Sequence, residues 1–222
     1  MNSYLFFTHT LVLLSFLLFA LYLGKEALML FVSTCTLFAN FFVTKEILLF
    51  GFEVTASDVY TIGAMLAFNS IQEYFGKSVA QKALWISFFV LLFGAASSFL
   101  HLAYEPSPHD RMHPSYAAIL SPAPRLALAS LATFFITQYL DIHLFSFFKQ
   151  KLALPFFMRA GISCACVMVA DTTLFSFLGL YGLVHSLFDI VIISLAIKLF
   201  ITAITSPFLA FSQLILHKKA AT

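Results

Sequence analysis

The sequence predicts an all-α fold, a polytopic integral-membrane bundle of six to seven transmembrane helices, and three observations predict it. The 222 residues are 61% hydrophobic and only 10% charged, whereas a soluble domain carries about a quarter charged residues. Phenylalanine alone occurs 29 times, more apolar surface than one small water-facing globule hides. The apolar positions are also gathered into runs of roughly the 20 residues that cross a hydrocarbon core as a helix, and short charge or turn clusters separate them. The chain reads as one transmembrane domain over 1–222, an N-terminal helix at 5–23 preceding the region 27–216.

The same composition excludes other classes. A net charge of +2 without a clustered basic face is no footprint for direct nucleic-acid binding. Cys35, Cys164 and Cys166 all lie within apolar runs, where cysteine acts as a small hydrophobe, and they frame no paired disulfide set. No Gly-rich phosphate cradle, nucleophile–base pair or zinc-ligand spacing is present. An enzyme, a resident cofactor and a metal centre are therefore not expected, and the chain does not hydrolyse ATP by itself.

Seven runs qualify as spans, in order. Leu5 to Leu23 lacks the basic flank and small-residue cleavage site of a secretory signal, so it reads as a mature helix. Ala27 to Phe50, Ser57 to Phe75 and Ala83 to Ala103 follow. Between Tyr104 and Pro124, Pro106, Pro108, Pro114, Pro122 and Pro124 forbid a continuous helix; His109 and His113 there, with His101 upstream, lack a metal-binding spacing. Arg125 to Phe148, Gly161 to Tyr181 and Val184 to Leu216 complete the set, and Pro207 is expected to bend the last one. Lys25, Lys77, Lys82, Lys149, Lys151, Arg159, Lys218 and Lys219 all fall on one side of this alternation. That side collects as cytoplasmic, which puts the C-terminus inside and the N-terminus outside.

Ionisable residues within the runs cost about 2.5–3.5 kcal/mol each at a helix centre on insertion scales and are functional candidates by default. The second run carries Asn40, then Lys45 and Glu46 toward its outer end, where snorkelling to the interface is an equally good reading. In the third run Asn69 and Glu73, four residues apart, share a face, although Gly76 and Lys77 soon after also allow Glu73 a plain helix-end role. Gln138 and Asp141 stack in the fifth run, Asp171 sits near mid-depth in the sixth, and Lys198 lies at similar depth in the seventh. Asp171 and Lys198 are natural partners, and a purely structural ion pair is the bland alternative. Carboxylates and amides directed at a common interior suit a small, flat solute with a polar edge, since a carboxylate accepts two parallel hydrogen bonds from an amidine-like edge such as that of a guanine-type base. Phenylalanines can stack on its face, though most serve lipid contact and helix packing.

Three segments together resemble the queuosine-precursor transporter family, also called the vitamin uptake transporter family. Ala39 to Phe89 is similar to the family's opening block, with Ala39-Asn40, Lys45, the Phe50-Gly51 turn, Glu73 and Gly76. Pro124 to Lys149 matches the second through Arg125, Gln138, Asp141 and Phe145, and Arg159, Asp171, Phe175, Lys198 and Pro207 supply the third. The resemblance implies a bacterial inner-membrane importer of 7-deazaguanine compounds, namely the cyano or aminomethyl precursors or queuine, for transfer-RNA modification. It implies a substrate site of Asn40, Asn69, Glu73, Gln138, Asp141 and Asp171, with Lys198 balancing Asp171, while Lys45, Arg125 and Arg159 gate or anchor helices. Two positions depart from the family pattern. Asn69 stands where an Asp is common and Met168 where a Gln is common, which favours a larger or less polar precursor such as queuine. Uptake is expected either as facilitated diffusion followed by metabolic trapping or as ion-coupled transport, for which a buried carboxylate is the natural proton carrier. The partners expected are the small solute and the bilayer; a homo-oligomer is left open, because no dimer face is visible in the pattern. The rival reading is a substrate-capturing membrane subunit of an energy-coupling vitamin transporter, which needs separate ATPase partners.

Overall fold

The computed structural model describes residues 1–150 and 156–200; within its helices the side chains of 73, 138, 139, 141, 142, 144–146, 148–150 and 156–164 are outside the described set. Helix α1 (Asn2–Leu23) meets α2 (Lys25–Phe42) at Gly24, whose φ of 121° suits only a residue without a side chain. The two helices run antiparallel, and Asn2 Nδ2 at the start of α1 donates to Leu48 O just past the end of α2, at 2.9 Å.

Here the structure corrects the sequence expectation. The second run does not continue as a helix to Phe50; α2 stops at Phe42, and β1 (Glu46–Leu49) pairs antiparallel with β2 (Phe52–Thr55). The physical reason lies in the turn. Phe50 and Gly51 have φ of 53° and 89°, the two positive values that a two-residue type I′ hairpin turn demands. Leu49 and Val54 are fully buried beneath the strands, so the hairpin is seated on the bundle. Lys45 and Glu46 consequently belong to a hairpin rather than to a helix end.

Helix α3 (Asp58–Phe75) turns at Gly76, φ 86°, into α4 (Lys77–Ala103). The proline-rich loop has no continuous helix, but it holds one short helix, α5 (His113–Leu120), with Pro114 in its first turn, where a missing N–H costs nothing. Helix α6 (Ala123–Gln150) is followed by α7 (Phe156–Phe175), which ends in a π-helical turn, Ser176–Leu180. A last helix, α8, is described over 187–200. Pro207 lies outside the described residues, so the bend expected there is left at the level of sequence.

Among the described residues, four stretches are long and apolar enough to cross a membrane: Asn2–Leu23, Lys25–Phe42, Lys77–Ala103 and His113–Thr137. The chain is an all-α, multi-pass membrane protein. Its main core gathers Leu17, Leu21, Leu28, Ile62, Leu66 and Ile71 with the hairpin's Leu49 and Val54. A smaller cluster joins Val43, Leu126, Leu180 and Ile190. Ile197 belongs to the first cluster and Ile190 to the second, so α8 bridges the two halves.

Small residues set the closest helix contacts, as membrane packing favours. A Cβ at Gly63 would collide with Leu13 of α1, and one at Gly94 would come within 2.7 Å of Leu37 Cδ1 of α2. Ser33 and Ser87 meet across α2 and α4 at 3.1 Å. Outward, Phe16, Phe19, Phe89, Phe93 and Phe99 are exposed, the surface that lipid covers.

Candidate functional site

The hairpin sets the depth of the site. Because β1 and β2 occupy the space between the end of α2 and the start of α3, α3 begins inside the bundle rather than at its rim. Ser194 Oγ donates to Asp58 Oδ2 at 2.6 Å, and Ser194 is seven residues into α8, about 10 Å below the first residue of that helix at 1.5 Å per residue. Asp58, the first residue of α3, is therefore buried at depth, only 3% exposed. Non-helical backbone at such depth is tolerated where it is covered by protein or lines a polar interior.

Around Asp58 a polar layer is assembled from five helices. Lys198, one turn beyond Ser194, is buried; its Nζ donates to Thr172 Oγ1 of α7 at 3.2 Å and interacts electrostatically with both Asp58 and the neighbouring Asp171. On the α2 side, Tyr60 packs its ring against Phe38 and Phe42 at 5.7 and 5.6 Å, which sets Asn40 level with the start of α3. Asn40 is buried, donates through Nδ2 to Thr36 O at 3.0 Å, and accepts from Ser130 Oγ of α6 at 3.2 Å. Asn40, Asp58, Ser130, Asp171, Thr172, Ser194 and Lys198 thus lie in one stratum. His9 of α1 closes on its edge, its ring 4.9 Å from that of Tyr60.

Of the residues expected from sequence, Asp171 and Lys198 adjoin Asp58 here, while Asn40 lies level with them and bonds to Ser130 instead. The direct Asp171–Lys198 partnership is modified, because the ammonium bonds to Thr172 and its charge is shared between two carboxylates. Asn69 is half-buried on α3, eleven residues and about 16 Å along the helix from Asp58. Glu73 is one turn further, and Gln138 and Asp141 lie at a comparable distance along α6 from Ser130. These four positions form a lower stratum, spread over about 12–22 Å from the first; the side chains of Glu73, Gln138 and Asp141 are outside the described residues. So is the side chain of Arg159, which lies in the first turn of α7 at its far end.

Lys45 is exposed and takes part through its backbone, its carbonyl accepting from Ala56 N–H at 2.8 Å to close the hairpin and its N–H donating to Phe42 O at 3.1 Å. Arg125 is an anchor: its Nε donates to Leu178 O at 3.1 Å and its NH2 group to Tyr181 O at 2.8 Å, satisfying carbonyls that the end of α7 leaves without helical partners. Over the layer, the hairpin is fastened to the α7–α8 loop. The His185 backbone N–H donates to Glu46 Oε1 at 3.2 Å, and His185 Nδ1 lies 3.0 Å from Glu53 Oε2. Further out, His101 packs edge-on against Tyr116 at 5.1 Å.

Asp58 was not legible as a site residue. In the sequence it stands beside Ser57 just before an apolar run, the pattern of an ordinary helix start. The signal that finds it is the hairpin: EILL-FG-FEVT is two short apolar-rich strands around a two-residue turn, and a helix that follows such an insertion begins below the surface.

A multi-pass helical bundle with ionisable groups buried in an internal layer has the architecture of a membrane transport protein. The chain belongs to the vitamin uptake transporter family: residues 55–212 match the family described as "Putative vitamin uptake transporter". It is also similar to the "Probable queuosine precursor transporter" of Bacillus subtilis (strain 168), 30% identical over 185 residues that cover 81% of each chain. No solved structure matches.

Proposed function

We propose that the protein imports a queuosine precursor, a 7-deazaguanine base, across the bacterial inner membrane, with the N-terminus outside and the C-terminus in the cytoplasm. The observation that carries this reading is the layer of buried Asn40, Asp58 and Lys198 with half-buried Asp171, in a chain similar to a protein named for that cargo. A carboxylate and an amide are the groups that read the donor and acceptor edge of a guanine-type base. A site between helices near mid-depth is where transporters hold solutes. The lower stratum of Asn69, Glu73, Gln138 and Asp141 is then the second station on the path, met as the cargo leaves toward the cytoplasm.

Two finer features belong to the proposal. Met168, buried three residues before Asp171, and Asn69 make the path less polar than an amide and a carboxylate would, which favours queuine over the smallest precursor. In competition for uptake, queuine should block more strongly than the cyano compound; the reverse order overturns this preference. Uptake is proton-coupled, with the proton carried by the lower-stratum acids Glu73 and Asp141. Uptake undiminished by collapse of the proton gradient removes the coupling and leaves facilitated import.

The reading as a whole is tested in a cell unable to make or import the precursor. Expression of the chain should restore queuosine to transfer RNA, and Asp171→Asn at equal membrane abundance should reduce that restoration by more than about tenfold, the effect of losing a charged hydrogen-bonding partner. Failure of the wild-type chain to restore any queuosine contradicts the reading.

A further inference from the structure

The upper layer contains two carboxylates and one ammonium. Among the described residues, no cation comes within 4.0 Å of either Asp58 or Asp171, and the hydrogen bond that fixes Lys198 goes to a hydroxyl, Thr172 Oγ1. Ser194 Oγ donates to Asp58 Oδ2 at 2.6 Å, so the carboxyl already serves as an acceptor within the layer. Charges inside a membrane protein pair with one another, because an uncompensated one is costly in low dielectric. Two buried carboxyl groups on different helices with one cation between them can accept one further positive charge, whose arrival favours their ionised forms.

Resting on the reading that this layer receives the cargo, we propose that Asp58 and Asp171 together bind a protonated amine of the cargo, and that Lys198 is the resident cation which this amine displaces. The geometry suits an ammonium group. The carboxylates arrive from different helices, α3 and α7, and the hydroxyls of Ser194 and Thr172 flank them, so an ammonium with two or three N–H donors finds an acceptor in each direction. Lys198 stands on α8 between those helices, on a flexible four-carbon stem that lets its charge withdraw as another arrives. The site thereby selects by charge. The aminomethyl compound and queuine each carry a protonatable amine, whereas the cyano compound is neutral.

The test uses the purified full chain in lipid nanodiscs and two bases of nearly equal size, 7-aminomethyl-7-deazaguanine and 7-cyano-7-deazaguanine, in equilibrium binding. The aminomethyl base is expected to bind at least about tenfold more tightly. Asp58→Asn and Asp171→Asn should each erase that preference, so that the two bases bind within about threefold of one another. Lys198→Gln should tighten binding of the aminomethyl base and widen its preference over the cyano base, because a tethered competitor has been removed. Equal or tighter binding of the cyano base by the wild type overturns the proposal, and so does a Lys198→Gln chain that binds both bases more weakly, the mark of a merely structural lysine. Where a carboxylate variant fails to fold, the wild-type preference and the sign of the Lys198→Gln effect still decide. Binding of neither base by the wild type instead counts against the precursor reading on which the inference rests.

Discussion

Ser194 shows how little sequence signal a site residue can carry. A serine in an apolar helix is unremarkable, and its importance comes from the 2.6 Å bond to Asp58 across 136 residues of chain. Hydrogen bonds to charged groups contribute about 1.5–3 kcal/mol, so Ser194→Ala should lower the stability of the purified protein by an amount in that range. Ser194→Thr, which keeps the hydroxyl, should recover most of it; thermal unfolding in a fixed detergent measures both. The charged members were more legible. Asp171 and Lys198 are visible as charges with long apolar flanks, which sequence alone reads as buried. Asp58 is not, because a carboxylate at the head of a run is indistinguishable from a solvated helix start until the preceding segment is known to fold back. Arg125 was legible as an anchor but not in its partners, since backbone carbonyls 53 and 56 residues away leave no mark in the sequence.

At the scale of elements, run length located the spans well and their ends poorly. The apolar run through Phe50 continues in composition, so hydropathy extends α2 eight residues beyond its end at Phe42; what stops the helix is turn chemistry. Gly51 sits at φ 89° with nothing near its Cβ position, so replacing it strains the backbone without causing a clash. A side chain in the left-handed region costs about 1–2 kcal/mol, and Gly51→Val should loosen the hairpin, read as faster proteolytic cleavage between residues 46 and 55 from the outer face. The α1–α3 contact is sensitive in a different way. Gly63→Val would drive its branches into Leu13, and overpacking of this kind costs about 1–3 kcal/mol. The paired variant Gly63→Val with Leu13→Ala should regain part of that stability, which separates a packing clash from loss of helix propensity.

For the molecule as a whole, the alternation of the runs is reproduced by contacts that place the start of α1, the hairpin and the α7–α8 loop at one end. The turn at Gly76 and the start of α7 lie at the other. In the proposed orientation, which rests on the lysine bias, the second end is cytoplasmic. In a background without native cysteines, His185→Cys should therefore react with a membrane-impermeant maleimide on intact cells, and Lys77→Cys only after permeabilisation; the opposite pattern reverses the orientation. Fold class was legible because bilayer thickness imposes one length on every span. The meeting of Asn40, Asp58, Asp171 and Lys198 was legible only in part, because it depends on helix register across the bundle, which composition does not encode. That this layer is the seat of the cargo is tested most directly by uptake of a labelled 7-deazaguanine base into liposomes containing only the purified chain, wild type beside Asp58→Asn. Uptake by the wild type, with the variant folded and inserted but reduced more than about tenfold, is the predicted result. Equal uptake by the two proteins would contradict it.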